Sequence, residues 1–121
     1  MNEHEKINYV EFPCRDIQQT KNFFTKAFGW KFQDFGPDYT AFSNEGIDGG
    51  FFLSKLNSSS NNGSALIVFF SENLEDTLEK ISGSGGDIIK DIFPFPGGRR
   101  FHFSEPSGNE FAVWSDKAAR Q

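Results

Sequence analysis

The chain has 121 residues, of which 36% are hydrophobic and 17% aromatic, with 16 Phe and a formal net charge of −5. This length suits one compact domain, and so many phenyl rings can bury a large area per residue. The acidic balance disfavours polyanionic partners, so neither nucleic acid nor an anionic membrane surface is expected.

The single cysteine, Cys14, excludes an intramolecular disulfide and a cysteine-based zinc site. It fits a reducing compartment. The opening MNEHEKINYVEF is polar and acidic, without the basic start and apolar run of a signal peptide. No apolar run approaches the roughly 18 residues of a membrane helix. A cytoplasmic protein is expected.

INYVEF, residues 7–12, is rich in β-formers and predicts the first strand. Asp16 is a suitable N-cap for a helix in which Ile17, Phe24, Ala27 and Phe28 fall near helical spacing, with Gly29 as its stop. WKFQDF (30–35), YTAFSN (39–44) and GGFFLSK (49–55) predict three further strands. Residues 56–64, LNSSSNNGS, are a polar low-complexity run and predict a mobile linker.

The order then restarts. ALIVFF (65–70) predicts a strand, and SENLEDTLEKISGSGG a capped helix with Leu74, Leu78 and Ile81 on one face. DIIKDIF (87–93), RRFHFSE (99–105) and NEFAVWS (109–115) predict three more strands. The chain therefore reads β-α-β-β-β twice, as one domain over 1–121 with modules at 7–55 and 65–115. The expected class is α+β, with tandem βαβββ modules forming a curved mixed sheet around a cleft.

Two stretches carry a resemblance. INYVEFPCRDIQQTKNFFTKAFGWKF has an opening strand, an Asp at the helix start, an aromatic pair in the helix and FGW leading into the second strand. FHFSEPSGNEFAVW follows F-x-F-x-D-P-x-G-N-x-x-E, with Glu105 where Asp is usual and Ala112 where the pattern ends in Glu. In both, and in element order, the chain resembles the vicinal oxygen chelate superfamily: glyoxalase I, bleomycin and fosfomycin resistance proteins, and extradiol dioxygenases. The resemblance covers residues 7–115 and implies the fold. It does not fix the reaction, because this scaffold hosts many chemistries.

Classical enzymes of that superfamily bind a divalent metal through His, Glu or Gln. Counting from the shared motifs, the resemblance places their ligand positions at Tyr9, at Gly50 or Phe51, at Leu66 and at Ala112. Tyr is a rare ligand for these ions, and the other side chains have no donor atom. Glu110 lies two residues before Ala112, on the same face but about 7 Å away at roughly 3.3 Å per residue. No metal ligand and no cofactor is therefore assigned. A displaced divalent site built from Glu11, His102 and Glu110 stays as an alternative that needs close convergence of three strands.

Strand alternation puts Tyr9 and Glu11, Arg100 and His102, and Glu110, Ala112 and Trp114 on the cleft-facing sides of their three strands, with Leu66 and Val68 beside them, so that Arg100, His102 and Trp114 line one pocket. His102 occupies a position where relatives often carry a Tyr aimed at the substrate. It is a candidate acid or base, or a ligand group. Glu11 is a candidate base if desolvated. Arg100 either grips an anionic group or pairs with Glu110 or Glu11, whereas Arg99 points the other way. Tyr9, Leu66, Val68 and Trp114 form an aromatic and apolar wall suited to a flat ligand.

The expected protein binds a small organic molecule without a catalytic metal, as bleomycin resistance proteins sequester a ligand without chemistry. The alternatives are a glyoxalase-related lyase or isomerase and a non-catalytic interaction subunit. The resemblance further implies a homodimer in which sheets of two chains complete the clefts.

Overall fold

A computed structural model describes residues 2–118. The first module comprises β1 (Tyr9–Cys14), α1 (Ile17–Phe28), β2 (Phe32–Asp34), β3 (Tyr39–Phe42) and β4 (Asp48–Leu53). A single 3-10 turn, Ser60–Asn62, precedes the second: β5 (Ile67–Phe70), α2 (Leu74–Gly83), β6 (Asp87–Phe95), β7 (Gly98–Ser104) and β8 (Glu110–Ser115). Each module closes its own four-stranded sheet, ordered β1-β4-β3-β2 and β5-β8-β7-β6. The connectivity is the same in both. β1 runs parallel to β4, and β5 parallel to β8, while the other neighbours are antiparallel. The α+β class and the tandem repeat match the sequence.

Local chemistry sets the helix ends. The Asp16 side chain accepts from the Gln19 N–H at 3.0 Å, and Gly29 takes the left-handed conformation at φ 73° to close α1. Asn73 caps α2 by accepting from the Asp76 N–H. β1 starts at Tyr9 rather than Ile7 because its partner β4 begins opposite, at Asp48. It runs on through Pro13, which an edge strand tolerates because one side of its backbone needs no ladder bond. β5 likewise starts at Ile67, opposite Phe111, so Leu66 precedes the strand.

The two modules share one aromatic core. The Phe24 ring lies 5.6 Å from Phe51 of the first sheet and 5.4 Å from Phe111 of the second. Phe28 stacks on Phe69 at 4.7 Å, and Phe12 meets Phe111 at 5.1 Å. The inner faces of both sheets therefore meet around α1. Alternation then turns the opposite faces away from this core. Those outer faces carry Tyr9, Glu11, Tyr39 and Phe52 on the first sheet, and Val68, Phe70, Arg100, His102 and Trp114 on the second.

A buried polar knot fastens the modules. Glu105, 2% exposed, accepts from the Thr20 hydroxyl, the Ser107 N–H, and the Asn109 N–H and side-chain amide. Asn109 also donates to the Pro13 carbonyl and accepts from the Ser58 N–H. Burial pushes the Glu105 carboxyl up, against the opposite pull of these four donors. Cys14 lies in the same knot, against Thr20 and Ser107.

The polar run 56–64, expected to be a mobile linker, is tied down. Its Ser58 accepts from the Glu110 N–H at 2.7 Å, and Ser60 donates to the Glu110 carboxylate through both its N–H and its hydroxyl. Low-complexity composition gave no sign of this, because the partner residues lie some 50 positions away in the chain.

Candidate ligand-binding site

On the second sheet, β7 and β8 pair so that Arg100 lies opposite Trp114, and His102 opposite Ala112. Glu110 sits diagonally from His102 on the same face, and its carboxylate meets His102 Nδ1 at 2.8 Å. Both side chains are buried. On the other side of the ring, Arg100 Nη2 lies 3.0 Å from His102 Nε2. Arginine has only donors, so Nε2 accepts and Nδ1 carries the proton that Glu110 receives. Ser60, His102 and Arg100 are thus joined through one carboxylate and one imidazole. Burial alone would raise Glu110, but the bonds from the Ser60 N–H, from His102 and from the Ser60 hydroxyl hold it below the usual carboxylate range.

Aromatic rings frame the arginine. Phe93 stacks on His102 at 5.8 Å, and the Arg100 guanidinium carbon lies 5.9 Å from the Phe93 ring centre and 5.8 Å from that of Phe95. Trp114 meets Phe95 at 6.1 Å and Phe70 at 5.1 Å, completing an arc along this face. Arg99 points to the other face and pairs with Glu75 of α2, as alternation predicts.

On the first sheet, Tyr9, Tyr39 and Glu11 form a second chain. Tyr39 donates to Glu11 at 2.8 Å, so its hydroxyl is left to accept from Tyr9 at 2.6 Å. Burial first, and then the bonds to Tyr9 and Glu11, push the Tyr39 phenol far above its usual value. Gly50 makes room for this: a Cβ there would collide with the Tyr39 ring and hydroxyl. Tyr39 was not singled out in the sequence. The available signal was the Gly-Gly pair in β4, which marks a close approach.

The candidate residues therefore fall into two groups on separate sheets. Arg100, His102, Glu110, Ala112 and Trp114 come together, with Val68 beside Ala112. Tyr9 and Glu11 come together through Tyr39. Among the described residues no hydrogen bond or ion pair joins the groups, and of the two roles left open for Arg100 the pairing with Glu110 or Glu11 does not form. Cavities that share wall residues lie near the first group, and of the second group only Val68 enters any of these walls. One of about 520 Å³ has Tyr9, Phe32, Phe35 and Ala41 in its wall. A second, of about 440 Å³ between β1 and β5, has Val10, Trp30, Val68 and Phe70. A third, also about 440 Å³, has Glu11, Phe52 and Leu56. Leu66 is half-buried and outside the strand.

The arrangement defines a class: two βαβββ modules, each with its own four-stranded mixed sheet, packed on one aromatic core. The chain belongs to the Glyoxalase/Bleomycin resistance protein/Dioxygenase superfamily, whose family model matches residues 6–113. A glyoxylase-like domain-containing protein of Didymella fabae is 25% identical, over 91% of this chain and 93% of its own length. Among solved structures, lactoylglutathione lyase from Agrobacterium tumefaciens superposes with a TM-score of 0.69 at 13% identity, covering 94% of this chain and 96% of the lyase. TnmS3, an antibiotic-binding protein from Streptomyces sp. CB03234, gives 0.67 at 16% identity, covering 95% of this chain and 98% of TnmS3.

The positions that the resemblance marks for the family's divalent metal do not fit one: Leu66 and Ala112 present hydrocarbon, Gly50 no side chain and Phe51 a buried phenyl ring, and the Tyr9 hydroxyl is bonded to Tyr39. Within one chain the displaced set is not assembled among the described residues either. Glu11 lies on the other sheet from His102 and Glu110, and His102 Nδ1 already serves Glu110. No helix among the described residues is long and apolar enough to cross a membrane.

Proposed function

We propose that this protein binds a small organic molecule against its second-sheet face, without a catalytic metal, in a homodimer whose partner chain closes the site. The observation that carries the reading is that Tyr9, Gly50 or Phe51, Leu66 and Ala112 stand where the resemblance implies metal donors, alongside a pre-organised aromatic face around Arg100. Exposed apolar side chains on both outer faces support the dimer: Tyr9 is 41% exposed and Phe52 37% on one, Val68 41% and Phe70 50% on the other. The antibiotic-binding relative supports sequestration as the role. The buried free thiol of Cys14 suits a cytoplasmic setting.

The test has three parts: elemental analysis after chelator-free purification, sedimentation to fix the oligomer, and a thermal-shift screen with small aromatic compounds. A dimer without stoichiometric divalent ion, stabilised by at least one compound, is expected. One tight ion per chain refutes the metal-free reading. A dimer that no compound stabilises favours the interaction-subunit alternative.

One observation favours a second reading. The 2.8 Å Glu110–His102 pair is the kind of dyad that orients a catalytic imidazole for lyase or isomerase chemistry. Its free nitrogen is engaged by Arg100, which sets that pair to holding the arginine. Turnover of a small carbonyl compound that His102→Ala abolishes would establish the enzyme instead.

A further inference from the structure

We infer that the Arg100 seat recognises the carboxylate of a small planar aromatic acid; this deepens the ligand-binding reading and rests on it. The chain carries 17 acidic residues, yet among the described residues none pairs with Arg100. Its one hydrogen bond goes to an uncharged acceptor, His102 Nε2. Nε is buried with no partner, and no bond is formed by Nη1. Arg99 Nε is buried in the same way although Glu75 holds that guanidinium, so what sets Arg100 apart is that no carboxylate takes its outer N–H groups, which remain for an acceptor from outside.

The support behind the arginine is unusually complete. Ser60 fixes Glu110, Glu110 fixes the His102 tautomer, and His102 fixes the guanidinium, while Phe93 and Phe95 flank it. Glu110 spends its charge on Ser60 and His102, which keeps it off the arginine. A planar carboxylate matches the fork of a planar guanidinium. The aromatic body of the same ligand would lie along Trp114, Phe95 and Phe70, where each ring has a face or edge to offer. Acid and ring in one molecule satisfy both features at once.

Calorimetry at pH 7.5 with 2-naphthoate, its neutral amide 2-naphthamide, and inorganic phosphate tests this on the intact protein. The acid should bind at least tenfold more tightly than the amide, and phosphate more weakly than either. Arg100→Gln should weaken the acid at least tenfold and leave the amide within about twofold. Arg100→Lys, which keeps the charge but not the fork, should fall between. The comparison of acid with amide on the unmodified protein does not depend on how any variant folds.

Equal binding of acid and amide overturns the inference while leaving the ligand-binding reading intact. So does a failure of both naphthalene compounds when the thermal-shift screen yields neutral ligands. A blank result in both experiments sinks the two together. Phosphate as tight as the acid marks a general anion site and refutes an aromatic acid. If Arg100→Gln dissociates the dimer and leaves 2-naphthoate unaffected, the arginine serves an acidic group of the partner chain, and the inference fails.

Discussion

Glu110 offers the sharpest quantitative test, because one carboxylate holds both the connecting segment and the His102–Arg100 pair. It accepts three hydrogen bonds of 2.8 Å, from the Ser60 N–H, the Ser60 hydroxyl and His102 Nδ1. Bonds to a charged group contribute about 1.5–3 kcal/mol each when their donors stay buried. The Ser60 donors can regain water if the turn lifts, so they count at the low end or below. The His102 proton, in a side chain 7% exposed, has no such escape. Glu110→Ala should therefore cost about 3 kcal/mol in all. With 121 residues and about 2.1 cal/mol/K of unfolding entropy per residue, each kcal/mol moves Tm by about 4 °C, so the expected drop is about 12 °C. Glu110→Gln should cost about 1–2 kcal/mol: the amide oxygen can accept from only one side, and the amide nitrogen meets a donor on the other. The assay is thermal and urea denaturation with hydrogen exchange read over residues 56–64. Faster exchange there in both variants, graded with the stability loss, is expected. A drop of less than about 4 °C for Glu110→Ala, with exchange unchanged, would refute the clamp.

The pH dependence has a definite sign. Glu110 is held below its free value, so its stabilising contribution is present above the free Glu range, about pH 4.3, and is lost as pH falls through the lower folded value. The stability gap between the native protein and Glu110→Gln should be wide at pH 7 and close below about pH 4 in urea titrations. Gly50→Ala should cost about 1–3 kcal/mol by pushing Tyr39 off Glu11, with tyrosine ionisation moving to lower pH in an ultraviolet titration. Phe24→Ala should remove about 3–5 kcal/mol, because this ring touches both inner sheet faces; chemical denaturation reads it directly. Cys14 is fully buried, so a thiol reagent should label the folded protein only as fast as it opens.

The fold was legible because its signals are local. Asp16 and Gly29 bound a helix whose Phe spacing marks one face, and period-two alternation in RRFHFSE and NEFAVWS sorts Arg99 from Arg100 and Phe103 from His102. Alternation also placed His102, Arg100 and Trp114 on one face correctly. What alternation does not carry is which sheet face meets which. Tyr9 and Arg100 share a parity class, yet the core between the sheets holds their strands apart in one chain. The connecting segment was misread for a related reason. Ser, Asn and Gly look like solvent-loving residues, but their N–H and hydroxyl groups are also what a buried carboxylate needs, and Glu110 appears only 50 positions later. Of the two roles left open for Arg100, the pairing with Glu110 does not form because that carboxylate already accepts from Ser60 and His102, which sequence spacing does not show.

The two outer faces differ in a way that bears on how a site would be completed. One ends its hydrogen-bond chain on an anion: Tyr9 donates to Tyr39, which donates to Glu11. The other ends on a cation: Glu110 orients His102, and His102 accepts from Arg100. In a dimer that opposes unlike faces, an acidic phenolic wall would look across at a basic aromatic one. Coulomb attraction would then favour unlike over like pairing, because two Arg100 faces or two Glu11 faces would repel when desolvated. A ligand between unlike faces would turn its carboxylate to Arg100, and that carboxylate would then need to keep clear of Glu11. A flat acid long enough to span the gap meets that demand with its acidic end at Arg100 and a hydrogen-bonding or neutral end toward Tyr9. Charge on the opposite wall thus becomes a selectivity device: a dicarboxylate of the same length should bind more weakly than the monoacid, and Glu11→Gln should narrow that difference.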